Sequence, residues 1–161
     1  MSVRIRNMTS LYLVNEEGIL CLYRIGSRVA NGKYVGAAGG HFENDEMSCP
    51  RECVLREAME ELGLSENEIP DMRLRYITYR LKNDEIRQNY YYFASLPENR
   101  VFSSNEGRLH FVKYALVPAL DMPVSAKNML MHYVNMGRFT TDLYAGITEE
   151  SGTVFRVMKE F

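Results

Sequence analysis

An α/β domain is what the sequence predicts, and three observations predict it. Two pairs of β-rich runs are each split by a short polar turn, a helical segment is bracketed by Pro50 and Gly63, and a second segment places Met129, Leu130, Tyr133 and Val134 at helical spacing. At 161 residues the chain has the size of one compact domain, residues 1–161, able to bury a core without disulfide support.

In order along the chain, residues 9–23 are rich in Leu, Tyr, Val and Ile and break at Asn15-Glu16-Glu17-Gly18, which predicts a β-hairpin. Residues 26–40 hold five glycines and little periodicity, so a loop should pass through a short strand near Tyr34-Val35 to a tight turn at Gly39-Gly40. A helix follows. Pro50 suits its first turn, Ser48 or Cys49 can precede it as the cap, and Gly63 sits where a left-handed residue would end it. Residues 74–81 and 88–94 flank Lys82-Asn83-Asp84-Glu85 and predict a second hairpin, with strong strand propensity in Tyr90-Tyr91-Tyr92-Phe93. Residues 97–107 read as a loop, 108–115 as a strand and 125–136 as a closing helix. In the tail, Val154, Phe155 and Val157 suggest one last strand.

Composition narrows the function. A net charge of -2, from 19 basic and 21 acidic side chains, argues against a surface that coats nucleic acid or lies on a membrane. The N-terminal residues lack the apolar run of a secretory leader, and no segment approaches the roughly 18 consecutive apolar residues of a spanning helix. Three cysteines, none in a CxxC motif, read as reduced thiols, so the expected location is cytoplasmic. Oligomeric state is left open, with a homodimer compatible.

The chemistry concentrates in Gly39-Gly40-His41-Phe42-Glu43 and in the helical stretch Arg56-Glu57-Ala58-Met59-Glu60-Glu61-Leu62-Gly63-Leu64. At about 100° per residue, Glu57, Glu60 and Glu61 fall within an arc of roughly 100° beside the apolar stripe of Val54, Ala58 and Leu62. Glu57 and Glu61 form a like-charge i,i+4 pair, a small penalty that a hard divalent cation would reverse because it prefers oxygen ligands. A bare acidic face is more often simply solvated. The double glycine just upstream, where backbone can pass close to a metal or phosphate, tips the balance.

Helix and loop together resemble the Nudix family, whose box reads G-x5-E-x7-R-E-U-x-E-E-x-G-U, with U a bulky aliphatic residue. Arg56, Glu57, Glu60, Glu61, Gly63 and Leu64 match its second half, with Ala58 in place of the bulky residue. Gly40 and Glu46 satisfy G-x5-E, but nine residues rather than seven separate Glu46 from Arg56. Either the loop carries a two-residue insertion or Ser48 takes the glutamate's place, and the Gly-Gly-His-Phe-Glu run favours the insertion.

The resemblance implies a Nudix-type α/β/α sandwich with a mixed β-sheet and a loop-helix-loop catalytic motif. It implies Mg²⁺, with Mn²⁺ as a substitute, bound directly or through water by Glu57, Glu60 and Glu61, which the Gly39 carbonyl could join. Arg56 would orient these carboxylates. Glu106, in Ser104-Asn105-Glu106-Gly107, resembles the Glu-Gly of MutT-like members and would add a carboxylate, with Glu98 as fallback. The general base would be Glu57, with Glu106 as competitor. Arg24 is the first choice to grip phosphate, beside Gly40, ahead of Arg28 and Lys33. The implied partner is a small nucleoside diphosphate-linked molecule. A MutT-like enzyme would hydrolyse a nucleoside triphosphate, oxidised purine forms included, to a monophosphate and pyrophosphate. Ala126 stands where such members can carry a purine-reading asparagine, with Asn128 two residues on, so ADP-ribose, nucleotide sugars and dinucleoside polyphosphates stay open.

Other features weigh less. Tyr79, Tyr90 and Tyr92 can stack on a base but are more often core, and Cys49 and Cys53 lack further ligands for zinc. His41, His110 and His132 are scattered, and no serine-hydrolase order is legible. Two rivals remain, a nucleotide-sensing Nudix domain that no longer cleaves, and an acidic interaction domain without metal. The retained Arg56, Glu57, Glu60 and Glu61 argue against the first. Insensitivity to magnesium would mark the second.

Overall fold

In a computed structural model that describes residues 3–159, eight strands form one mixed sheet with a helix on either face. β1 (Arg4–Val14) and β2 (Gly18–Arg24) make the first hairpin, and β3 (Tyr34–Gly36) adds to β2. The helix α1 (Pro50–Leu62) begins with proline in its first turn. It ends on Gly63 at φ 63°, whose N–H reaches back to the Met59 carbonyl at 3.0 Å. β4 (Arg73–Lys82) and β5 (Glu85–Ser95) form the second hairpin around Asn83-Asp84, each longer than its predicted core.

β6 (Gly107–Lys113) lies antiparallel along the whole of β2. It stops short of the predicted strand end because residues 114–119 coil into a 3-10 turn containing Pro118, which has no N–H to donate to a ladder. α2 (Val124–Asn135) follows, but it does not close the fold: β7 (Tyr144–Glu149) and β8 (Gly152–Val157) form a hairpin that extends the sheet from β4. β7 is the one strand the sequence reading missed. It carries Gly146, where Phe155 of β8 packs so closely that a Cβ would lie 2.6 Å from its ring.

The strands run in the order β3-β2-β1-β5-β4-β7-β8, with β6 on the far edge of β2. The β1–β5 and β4–β7 pairs are parallel and the others antiparallel. Alternation along β1 splits the core. Leu11 and Leu13 face α1 with Val54, Ala58 and Leu62, whereas Tyr12 faces α2 with Met129, Leu130 and Tyr133. The same period divides the aromatic run of β5, Tyr92 going to the first cluster, Tyr91 and Phe93 to the second. No helix among the described residues is long and apolar enough to cross a membrane.

Gly39-Gly40 is not the tight turn predicted. The chain there is extended along β1, with the Leu11 N–H donating to the Ala38 carbonyl at 2.7 Å and the Thr9 N–H to the Gly40 carbonyl at 2.8 Å. β1 pairs with β2 only at Leu13 and Val14, so its remaining edge is open to this segment. The glycine box is thereby held against the sheet, directly under α1.

Candidate active site

A cleft of about 430 Å³ opens where the 39–43 segment, α1, the end of β2 and the start of β6 meet. Arg24, Gly39, Gly40, Arg56, Glu57, Glu61 and Glu106 all line it, with His41 and Arg28. Residues up to 82 positions apart in sequence are brought together.

α1 supplies three of these side chains because its apolar stripe fixes its rotation. Measured from the buried Val54, Glu61 points roughly 20° away and Glu57 roughly 60°, both close enough to stay at the sheet edge, whereas Glu60 lies roughly 120° away. Glu60 is accordingly 58% exposed at its side chain and does not line the cleft that Glu57 and Glu61 share. It is tied instead to Arg56 Nη1 at 3.2 Å.

Arg56 organises the acidic side of the cleft. Its Nε and Nη2 donate to the two oxygens of Glu46 at 2.6 and 3.0 Å, Nη1 donates to Glu57 Oε1 at 3.0 Å, and Nη2 also reaches the His41 carbonyl at 3.1 Å. Glu46, not Ser48, meets the arginine, so the longer spacing is taken up by the chain between them. Glu46 is buried, and the hydrogen bonds from Arg56 hold its carboxyl down at about 2, against the opposing effect of burial.

Glu57 rests on Gly40. A Cβ at that glycine would lie 2.2 Å from Glu57 Oε1, so only glycine leaves room for the carboxylate in this position. The Gly39 N–H donates to Glu61 Oε2 at 2.9 Å. Burial raises both carboxyls, Glu61 up to about 8, and neighbouring carboxylates, Glu106 among them, push in the same direction. Opposite α1, Arg24 Nη2 donates to Glu106 Oε2 at 2.7 Å. The β2–β6 register makes this contact, since Arg24 pairs with Gly107, the residue after Glu106.

Of the other candidates, Glu98 is exposed and outside the cleft, and Lys33 pairs with Asp121 at 2.7 Å. Tyr92 is buried under α1, Tyr90 packs on Phe42, and Tyr79 is elsewhere on the sheet, so none of the three lines the cleft. His132 hydrogen-bonds Tyr76 at 2.9 Å across the α2 face, and His110 packs edge-on to Tyr34. The three thiols are free, Cys21 and Cys53 pushed up to about 12 by burial.

Among the described residues no three acidic, histidine or cysteine side chains converge tightly enough to enclose an ion by themselves. The donor set still suits a hard cation of the Mg²⁺ kind, which keeps several waters and takes one or two carboxylates together with substrate phosphate oxygens. Glu57 and Glu61 are one helical turn apart, both buried enough to be raised by desolvation, and both face the cavity. A cation there would favour the charged form of both carboxylates against their burial and mutual repulsion.

The glycine segment gives a direct stability test. Gly39 has φ +150°, and a Cβ there would lie 2.2 Å from the Thr9 backbone oxygen. Gly39→Ala is expected to destabilise the fold by at least about 1–3 kcal/mol, the penalty of such a backbone conformation before the clash with β1 is added. An unchanged denaturation midpoint would show that this backbone conformation is not required.

A family model described as NUDIX domain matches residues 4–134. Comparison with curated protein sequences finds no match. Among solved structures, the chain is similar to a MutT mutator protein from Bacillus halodurans, with TM-score 0.66, 21% identity, and 97% of this chain and 99% of that one covered. It is similar to a MutT protein from Methanosarcina mazei Go1 at TM-score 0.65 and 17% identity, covering 84% and 96% of the two chains. It also resembles the NUDIX domain of NrtR from Shewanella oneidensis, solved with ADP ribose, at TM-score 0.61 and 12% identity, with 87% and 90% covered. At these identities the structural likeness speaks for the fold. The family model, spanning most of the chain and containing the whole box from Gly40 to Leu64, speaks for descent: the chain belongs to the Nudix domain family of pyrophosphohydrolases.

Proposed function

We propose that the protein hydrolyses a diphosphate linkage in a nucleoside diphosphate derivative, with Mg²⁺, or Mn²⁺ in its place, held by Glu57 and Glu61. The observation that carries this reading is that both carboxylates, Glu106 and the cations Arg24 and Arg28 line a single cleft. Glu60 would act on the ion through water at most, from its exposed position on Arg56. Gly39, whose N–H is engaged by Glu61, has its carbonyl as a further oxygen donor on the same segment.

The cation would neutralise phosphate oxygens and acidify a water molecule. The rest falls to the chain's own residues. Glu57 is the group we assign to accept the water's proton as oxygen attacks phosphorus and the bridging P–O bond breaks, and Arg56 Nη1 holds that carboxylate in place. Glu106 is the competing base. Arg24 is the phosphate-binding cation: substrate oxygens would replace Glu106 on its guanidinium, freeing Glu106 toward the cleft.

Substrates with two groups joined by a diphosphate, such as ADP-ribose, nucleotide sugars or dinucleoside polyphosphates, fit better than an oxidised purine triphosphate. The start of α2 presents Pro123, Val124, Ser125 and Ala126, none with a side-chain amide to read a purine. Asn128 donates to Thr153 Oγ1 at 3.0 Å on another side of the helix. A panel of these compounds and of nucleoside triphosphates, incubated with Mg²⁺ or Mn²⁺ and resolved by chromatography, is expected to show metal-dependent release of two phosphorylated products from at least one. No turnover of any compound with either metal would leave the nucleotide-sensing reading in its place.

A further inference from the structure

Beside the cleft lies a second pocket, on the sheet face that carries α2. Met8, Arg24 and Val29 line both, so the two are continuous. The floor of the second pocket holds a row of like charges. Register places Arg6 of β1 opposite Arg87 of β5, and Arg87 opposite Arg80 of β4, three guanidinium side chains on one face of adjacent strands about 4.8 Å apart. Like charges directly opposite one another destabilise a sheet.

The protein does little to neutralise them. Arg87 Nε donates to Glu85 Oε1 at 2.8 Å, and Arg6 Nη1 is 3.9 Å from that same oxygen. Arg6 Nε spends its proton on His41 Nε2 at 2.6 Å, and Arg80 has no ion pair among the described residues. Glu85 is itself flanked in register by Arg4 and Lys82, so among the described residues of these three strands one carboxylate answers five cations on this face.

Two further observations come from the opposite wall and from the floor itself. α2 begins there on Pro123 with no side chain capping its first-turn N–H groups, and Val124, Ser125 and Ala126 line the pocket, so the positive end of the helix faces the arginines. Tyr12, fully buried, also lines it, and its hydroxyl has no hydrogen-bond partner among the described residues. Guanidinium forks, uncapped amides and a spare hydroxyl are all donors. A neutral base would satisfy few of them, whereas a phosphate monoester accepts from several at once.

We propose that this pocket binds a second phosphate, carried on the part of the substrate beyond the diphosphate, and that Arg6, Arg80 and Arg87 select substrates bearing it. The proposal deepens the hydrolase reading and rests on it for the placement of the diphosphate. The substrate class is a diphosphate-linked nucleotide with an additional phosphate monoester on its distal moiety.

NADH and NADPH differ by one such phosphate and share a fluorophore. Titrated by nicotinamide fluorescence at low salt, with Ca²⁺ in place of Mg²⁺, NADPH is expected to bind about tenfold more tightly, the effect of one charge-assisted contact. In Arg80→Gln and in Arg87→Gln the ratio should fall toward one. The melting temperature of Arg80→Gln should hold or rise, since a repulsion is removed, which separates selection from a structural role. Equal affinities, no binding of either dinucleotide, or a ratio that survives both substitutions overturns the proposal. Turnover with Mg²⁺ and its loss in Glu57→Gln are read separately. A preserved NADPH preference without any diphosphate cleavage sinks the hydrolase reading alone, and cleavage without the preference sinks this one alone.

Discussion

Glu57→Gln is expected to lower kcat by about 10²–10⁴-fold on any substrate the panel identifies, the usual size of a lost general base. The amide keeps the shape that rests on Gly40 and can still accept from Arg56 Nη1, so the fold should survive. It can neither take a proton nor attract a cation. Glu61→Gln should also reduce turnover, but through the metal: the stabilisation that Mg²⁺ confers on the melting temperature should shrink in both variants, because a ligand that binds only the native state stabilises by mass action. In metal-free buffer neither variant should melt lower than the parent, since each removes a carboxylate whose charged form burial disfavours. Full turnover in both variants would refute the assignment, and full turnover in Glu57→Gln alone would hand the base to Glu106.

Arg56→Met should have the largest effect on stability, about 3–5 kcal/mol, because it leaves Glu46 buried without its partner. Adding Glu46→Leu to it should recover much of the loss, since the penalty lies in the stranded charge rather than in the missing pair. The pair also sets an acid limit. Arg56 holds Glu46 at about 2, below the ordinary value of 4.5, so the charged form is favoured in the folded state. This stabilisation is complete above about pH 4.5 and is lost as pH falls from there toward 2, a change of roughly 3 kcal/mol. Denaturant titrations at pH 7, 4.5 and 3 should show a shallower acid loss in Glu46→Gln than in the parent. Parallel curves would mean the pair contributes nothing to the pH dependence. The substitution at Arg56 should also depress kcat, because the guanidinium that shields Glu46 positions Glu57.

Much of the acidic half of the site is legible in the sequence. Pro50, the apolar positions 54, 58 and 62, and Gly63 lie within one short segment, and local periodicity and capping chemistry specify a helix there with Glu57 and Glu61 on its sheet-facing edge. The same periodicity placed Glu60 beside them on a helical wheel. Of the three it lies farthest from Val54, and only the packing of Val54 flat against the sheet shows that this separation carries it out of the cleft. Gly39-Gly40 was recognised as a place of close approach, but glycine permits both a turn and a strained extended chain, and the choice came from the free edge of β1.

From sequence alone came the α/β class, both hairpins, the helix bearing the carboxylates and the family resemblance, because each rests on residues near one another in the chain. Tertiary structure alone decided that Glu46 meets Arg56 across the longer loop, that Arg24 meets Glu106 through the β2–β6 register, and that Arg6, Arg87 and Arg80 stand in one row. Strand register and sheet order are set by packing between distant segments, and a shift of one residue would turn each of those arginines to the opposite face.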